Sequence, residues 1–243
     1  MFGLFRTKKC PEIYTEEHLK IDCTPKRINA IDAYESGYPL VCAMERAKEP
    51  SIIKSLINYG ADVKVPVKLL RFHFNNNPTV TKMFIDAGLD IDGCYYSETL
   101  LHMFSGIWSG YNTKVLKFLL DAGADVNKSC EFRYFDPPII EAAQGNNYAA
   151  IKLLIQYGAK VNNINFVTPP LYLAVLGNSS GVASAFGKEA MNPNIECVKL
   201  LINAGADVNW SNDSESILDI AYVSGNRDII KLLIDSGANK TLN

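Results

Sequence analysis

An all-α solenoid of stacked helix-turn-helix units is the fold class this sequence predicts, on three observations. One phrase of about a dozen residues returns at a period near about 33 residues. A glycine closes every copy of it. Capping residues and prolines that open a further helix stand ahead of several copies.

The phrase starts at Lys54, Lys82, Lys117, Lys152, Lys199 and Lys231, reading in turn KSLINYGADVKV, KMFIDAGLDIDG, KFLLDAGADVNK, KLLIQYGAKVNN, KLLINAGADVNW and KLLIDSGANKTL. In AAIKLLIQYGAKV the apolar Ile151, Leu154 and Ile155 fall on one helical face. Gly158 ends that helix, because the position after the cap needs a positive φ that glycine takes without a Cβ penalty. Gly60, Gly88, Gly123, Gly205 and Gly237 stand at the same place.

A helix ahead of each copy starts in ETLLHMF at Glu98, DPPIIEAA at Asp136 and TPPLYLAV at Thr168. A Thr or Asp cap followed by Pro suits a first turn, since proline presets φ and has no N–H to leave unpaired. Ala142, Ala143, Ala174 and Ala221 then keep these helices slim enough for close packing.

These residues resemble the ankyrin repeat, whose pattern runs T-P-L-H-x-A-A, then G-H/N, a V-V-K-L-L-L helix and G-A-D-V-N. TLLH at Thr99–His102 matches its first part with Leu for Pro, and SGNRDIIKLLIDSGAN at Ser224–Asn239 matches its second half. The resemblance covers about residues 38–240 and speaks for the fold, not for a partner. It implies paired antiparallel helices with protruding β-hairpin-like fingers between repeats. Each repeat then buries its apolar face against its neighbours.

The expected organisation is an N-terminal extension at 1–37 and a repeat domain at 38–243. The repeats fall at about 38–65, 66–93, 97–128, 136–163, 168–210 and 214–243. TPKRINAIDAYESG from Thr24 reads as a capping helix over the first repeat; the alternative is a separate functional arm at 1–23. The sixth repeat is expected to be its own cap. Repeat two is short around Pro66. Two insertions, SGIWSGYN at 105–112 and GNSSGVASAFGKEAMNPN at 177–194, are Gly-, Ser- and Asn-rich loops. Each is either a functional loop or a tolerated surface insertion.

At 48% hydrophobic and net charge -2 the composition is that of a folded protein, not of a disordered or nucleic-acid-binding one. No apolar run approaches the ~20 residues of a membrane span. MFGLFRTKK has its charges after its apolar patch, the reverse of a secretory signal. The expected location is cytoplasmic, or a host cell reached by a signal-less route. Cys10, Cys23, Cys42, Cys94, Cys130 and Cys197 show no Cys-x-x-Cys pair. An even number permits disulfides, but reduced thiols are the expectation.

Tests for chemistry come back empty. GNSSG mimics a nucleophile elbow, but the strand that motif needs before Ser179 is replaced by a helical repeat. GVASAFGK misses P-loop spacing by a residue, with Glu189 after its lysine. His102 reads as a structural hydrogen-bonding residue. Asp62, Asp125 and Asp207 recur at one repeat position and read as turn residues that satisfy backbone donors. Neither catalytic residues nor a metal site nor a cofactor is expected.

The fingers are unusually aromatic. The stretches before each new repeat carry Tyr95 and Tyr96, then Phe132, Arg133, Tyr134 and Phe135, then Phe166, then Trp210, and the first insertion adds Trp108 and Tyr111. Aromatics and Arg dominate protein-binding hot spots. The predicted function is a non-catalytic protein-binding module using these ten residues, working as an inhibitor or immunity protein or as a microbial effector. The partner is another protein, with neither nucleic acid nor membrane, and the free chain is expected to be a monomer. The alternative is an enzyme with a site in the 177–194 insertion.

Overall fold

The structure is a computed structural model and describes residues 40, 50–64, 77–95, 97–106, 113–130, 136–162, 168–177 and 193–239. Among these are ten α-helices and no extended strand. The chain divides into two compact units, residues 1–95 and 96–243. The proposed capping helix at 24–37, the short finger around Pro66 and nearly all of both insertions lie outside the described residues.

In the first unit, α1 (Pro50–Asn58) and α2 (Pro78–Asp86) pack on each other. Ile52, Ile53 and Leu56 of α1 and Val80 and Phe84 of α2 are buried. Asn77 caps α2 by accepting from the Thr79 N–H, and Pro78 follows it in the first turn.

The second unit holds four helix pairs. These are α3 (Leu100–Ser105) with α4 (Lys114–Asp121), and α5 (Pro138–Gln144) with α6 (Tyr148–Gln156). Then come α7 (Pro170–Leu176) with α8 (Ile195–Asn203), and α9 (Ile217–Ser224) with α10 (Arg227–Asp235). The first helices stack α3 on α5, α5 on α7 and α7 on α9, and the second helices stack α6 on α8 and α8 on α10. The core is a strip along this stack, with Phe104, Leu116, Ile151, Leu154, Val198, Leu201 and Leu233 fully buried.

Each second helix ends as the sequence predicts. Gly158 has φ 89°, and the other five glycines of the recurring phrase share that left-handed conformation. Two first helices begin one residue later than expected. Pro137 and Pro169 occupy the caps of α5 and α7, and neither makes a side-chain cap bond. At α5 the carbonyl of the expected cap, Asp136, instead accepts a bond from His102 of the repeat before.

Asparagines tie one finger to the next. Asn127 Nδ2 donates to the Gly158 carbonyl (3.1 Å) while its Oδ1 accepts from the Lys160 N–H (2.9 Å). Asn162 does the same with Gly205 O (2.7 Å) and Asp207 N (2.9 Å), and Asn209 with Gly237 O (3.1 Å) and Asn239 N (3.0 Å). Both ends of one side-chain amide are thus used across each of the three junctions. Asp62, Asp125 and Asp207 each accept a backbone N–H two residues on, as turn residues should.

The thiol expectation needs correction. Cys94 and Cys130 are each disulfide-bonded. Spacing could not reveal this, because neither cysteine belongs to a short Cys-x-x-Cys signature. Cys197 is a free, buried thiol that burial pushes up to about 12, with Glu196 adding to the rise.

Candidate functional site

In two first helices the third residue reaches toward the next repeat. In α3 it is His102, which is buried. The Thr99 N–H (3.2 Å) and hydroxyl (2.7 Å) donate to its Nδ1, and its Nε2–H donates to Asp136 O (2.8 Å). This network assigns a neutral imidazole with the proton on Nε2. His102 therefore caps its own helix and reaches the next repeat. It stands as a structural residue in place of a base.

The same position in α7 is Tyr172, whose hydroxyl donates to Glu215 Oε1 in the following finger. Burial first, and the Glu215 carboxylate second, push that hydroxyl up to about 12. The Tyr172 ring meets Trp210 edge-on, with centroids 5.5 Å apart and planes at 73°. That T-shaped arrangement sets a positive ring edge against a negative face. The finger carrying Trp210 is a tight hairpin. Ser211 and Ser216 form an antiparallel bridge, Ile217 N donates to Trp210 O (3.2 Å), and Asn212 Oδ1 accepts from the N–H groups of Ser214 and Glu215 (2.8 and 2.9 Å).

Of the ten aromatic and arginine residues singled out in the sequence, Tyr95 and Trp210 lie among the described residues. Tyr96, Trp108, Tyr111, Phe132, Arg133, Tyr134, Phe135 and Phe166 lie outside them. Trp210 is half-buried, held by Tyr172 and presented beside Glu215. Tyr95 is also half-buried and folds back on its own finger, where its hydroxyl donates to Asp90 O (2.9 Å). A Cβ on Gly93 would come within 2.7 Å of that ring, so glycine is what lets the tyrosine lie down. Burial raises the Tyr95 hydroxyl above its usual range, against the Asp90 carbonyl bond.

Sequence reasoning passed over Tyr172 and Val223. Val223 is 83% exposed on α9, one helical register beyond the alanine-rich positions. Aligning the first helices on their caps would have found both, since Tyr172 falls under His102, and Val223 under Gln144 and Leu176. A shallow hollow of about 420 Å³ is lined by Pro193, Asn194, Ile195, Asn226 and Asp228. Its two asparagines are spent on capping α8 and α10. Among the described residues no group of three His, Cys, Asp or Glu side chains could hold a metal ion. No described helix is long and apolar enough to cross a membrane.

Comparison with known proteins agrees with the stack. Residues 183–243 match the family described as Ankyrin repeats (3 copies), and residues 111–155 that described as Ankyrin repeats (many copies). The chain is similar to alpha-latrocrustotoxin-Lt1a of Latrodectus tredecimguttatus, 28% identical over 41% of this chain and 8% of the toxin. It is similar to an ankyrin repeat and KH domain-containing protein of Caenorhabditis briggsae, 26% identical over 77% of this chain and 8% of that one. A putative ankyrin repeat protein of Acanthamoeba polyphaga mimivirus is 34% identical over 43% of this chain and 59% of that one. The chain thus spans less than two thirds of these relatives. Among solved structures, the ankyrin repeat domain of Bcl-3 superposes with a TM-score of 0.62 at 22% identity, over 85% of this chain and 86% of that one.

Proposed function

This chain is an ankyrin-repeat protein, and on that premise we propose that it is a non-catalytic module that grips another protein through its fingers and first helices. Ankyrin repeats as a class mediate protein–protein interaction. What carries the reading here is the junction of repeats five and six. Trp210 and Tyr172 form a preorganised aromatic pair, Glu215 supplies an acceptor beside them, and Val223 lies open on α9. A rigid aromatic anchor with little rotamer entropy to lose is what a binding hot spot needs. Tyr96, Phe132, Arg133, Tyr134, Phe135 and Phe166 of the earlier fingers, with Trp108 and Tyr111 of the first insertion, belong to the same proposed surface. Inhibition of a partner enzyme or toxin, or engagement of a host protein as a microbial effector, are the forms such gripping takes.

The test is a stoichiometric complex purified from the source cell and identified by mass spectrometry. Trp210→Ala should weaken that complex by about 2 kcal/mol or more if the indole is a hot spot. Because Trp210 is packed on Tyr172, the same change should also lower stability, by about 1 kcal/mol. Loss of stability with affinity intact would make the pair local packing and remove this junction from the binding surface.

The disulfide-bonded Cys94 and Cys130 bear on where the module works, since such bonds persist in oxidising surroundings and are rare in the cytosol. Of six cysteines these two are consumed, so no more than four should react with a thiol reagent when the unreduced protein is denatured. Six reactive thiols would return the protein to a reducing cytoplasm.

A further inference from the structure

Repeats five and six sort their charges by face. Among the described residues of these repeats every cation lies on a second helix, with Lys199 on α8 and Arg227 and Lys231 on α10. Helix α7 carries no charge, and the one charge on α9, Asp219, is buried in its capping box. The finger between them, residues 204–216, carries Asp207, Asp213 and Glu215 and no cation. Asp207 is engaged in its own turn, where it accepts from the Asn209 N–H (2.9 Å). Asp213 stands exposed at the hairpin tip, and Glu215, two residues on, is half-buried.

The aromatic pair lies on this acidic side. Tyr172 ties it to the finger, since its ring meets Trp210 edge-on and its hydroxyl donates to Glu215 Oε1. An indole and a carboxylate are thus held within the length of one tyrosine side chain. The charge beside the aromatic surface decides what it fits. A guanidinium is planar, stacks on an aromatic face and donates from a rigid fork to carboxylate oxygens, whereas an ammonium is a compact, strongly hydrated point charge. An anionic segment would meet like charge, with no described cation on α7, α9 or their finger to offset it. Resting on the reading of this junction as a gripping surface, we propose that its occupant is an arginine-bearing basic segment of the partner protein, whose guanidinium lies on Trp210 and donates to Glu215 and Asp213.

NMR of the isotopically labelled full chain tests this, with the indole N–H signal of Trp210 assigned by its loss in Trp210→Phe. The probes are short Gly/Ser peptides bearing arginine, lysine or glutamate side chains. The expected result is a saturable shift of that signal with the arginine peptide, a weaker one with the lysine peptide and none with the glutamate peptide. Asp213→Asn combined with Glu215→Gln, which keeps an acceptor for the Tyr172 hydroxyl, should raise the dissociation constant of the arginine peptide about tenfold. Asp235→Asn, on α10, should leave it unchanged, and circular dichroism confirms that each variant folds. A Trp210 signal that no peptide moves overturns the proposal. So does an arginine peptide that binds the doubly substituted chain as tightly as the native one, a glutamate peptide that binds as well, or a signal moved by self-association of the chain in place of the peptides. The purified partner complex separates this proposal from the reading beneath it. A complex weakened by Trp210→Ala but indifferent to the double substitution keeps the gripping surface and overturns the basic occupant. One indifferent to both removes the junction from the binding surface and the proposal with it.

Discussion

The third and sixth repeats open with the same device and use it differently. In the third, Thr99 and His102 close a capping box on α3, and the far nitrogen of the imidazole goes on to Asp136 of the next repeat. In the sixth, Ser216 and Asp219 close the same box on α9, with Asp219 Oδ2 accepting from the Ser216 N–H (2.9 Å) and hydroxyl (2.7 Å). The carboxylate is shorter than an imidazole and satisfies the helix start through Oδ2. The fifth repeat takes an intermediate course, with Tyr172 leaving its cap unbonded and reaching ahead to Glu215. Residue identity at this position therefore decides whether a first helix adds its own polar bond to its successor, beside the asparagine bonds between fingers.

The largest effect that could break this contrast lies in the core. Leu154 of α6 and Leu233 of α10 occupy the same repeat position, and both are fully buried. Leu154 has helices of a repeat on either side, since α6 packs on α8 and α5 on both α3 and α7. Leu154→Ala should cost about 3–4 kcal/mol in urea unfolding. Leu233→Ala should cost about 2 kcal/mol, with exchange protection lost first in α10, because among the described helices α10 packs on α8 and α9 alone. Equal costs with global loss of protection in both would mean that the sixth repeat is as deeply coupled as the fourth.

A smaller effect separates the two capping boxes. His102→Ala removes the acceptor for the Thr99 N–H and the donor to Asp136 O inside buried surroundings, and should cost about 2–3 kcal/mol. Asp219→Ala loses the acceptor of a helix cap and should cost about 1 kcal/mol. Urea midpoints of the two variants make the comparison. If Asp219→Ala proves the more damaging, the forward bond of His102 contributes nothing to the stack.

Much of this was legible in the sequence, for reasons that are local. The glycine at the end of each second helix, the apolar spacing of Ile151, Leu154 and Ile155, and the turn carboxylates at 62, 125 and 207 are set by backbone requirements within a few residues. What lay beyond reach depends on contacts about one repeat apart. Nothing near Tyr172 announces that it will meet Trp210, 38 positions on. The caps at Pro137 and Pro169 were misplaced by one residue because a proline pair allows either to stand at the cap, and the Asp136 carbonyl was already engaged from the previous repeat. The service of Asn127, Asn162 and Asn209 to the next finger becomes visible only when repeats are stacked.

The smallest expected effect is the alkaline behaviour of the fifth repeat. Burial, and then the Glu215 carboxylate, hold the Tyr172 hydroxyl near about 12, against 10.0 for an unhindered tyrosine. The folded form thus retains its proton where the unfolded chain releases it. Below pH 10.0 the hydroxyl contributes its full share of stability; as pH rises from there toward about 12 the unfolded state gains by ionising first, and the share is gone once the folded hydroxyl ionises too. Half-exposed groups are screened, so the share is small. Tyr172→Phe keeps the ring against Trp210 and removes the proton. The stability difference between the native chain and Tyr172→Phe should therefore be steady at neutral pH and shrink through that window, with urea midpoints as the measure. His102→Ala, which leaves Tyr172 and Glu215 in place, should show no such narrowing. A difference that stays constant across the window would mean that Tyr172 meets water more than Glu215, leaving Trp210 and the ring edge as what joins the fifth repeat to the sixth at this point.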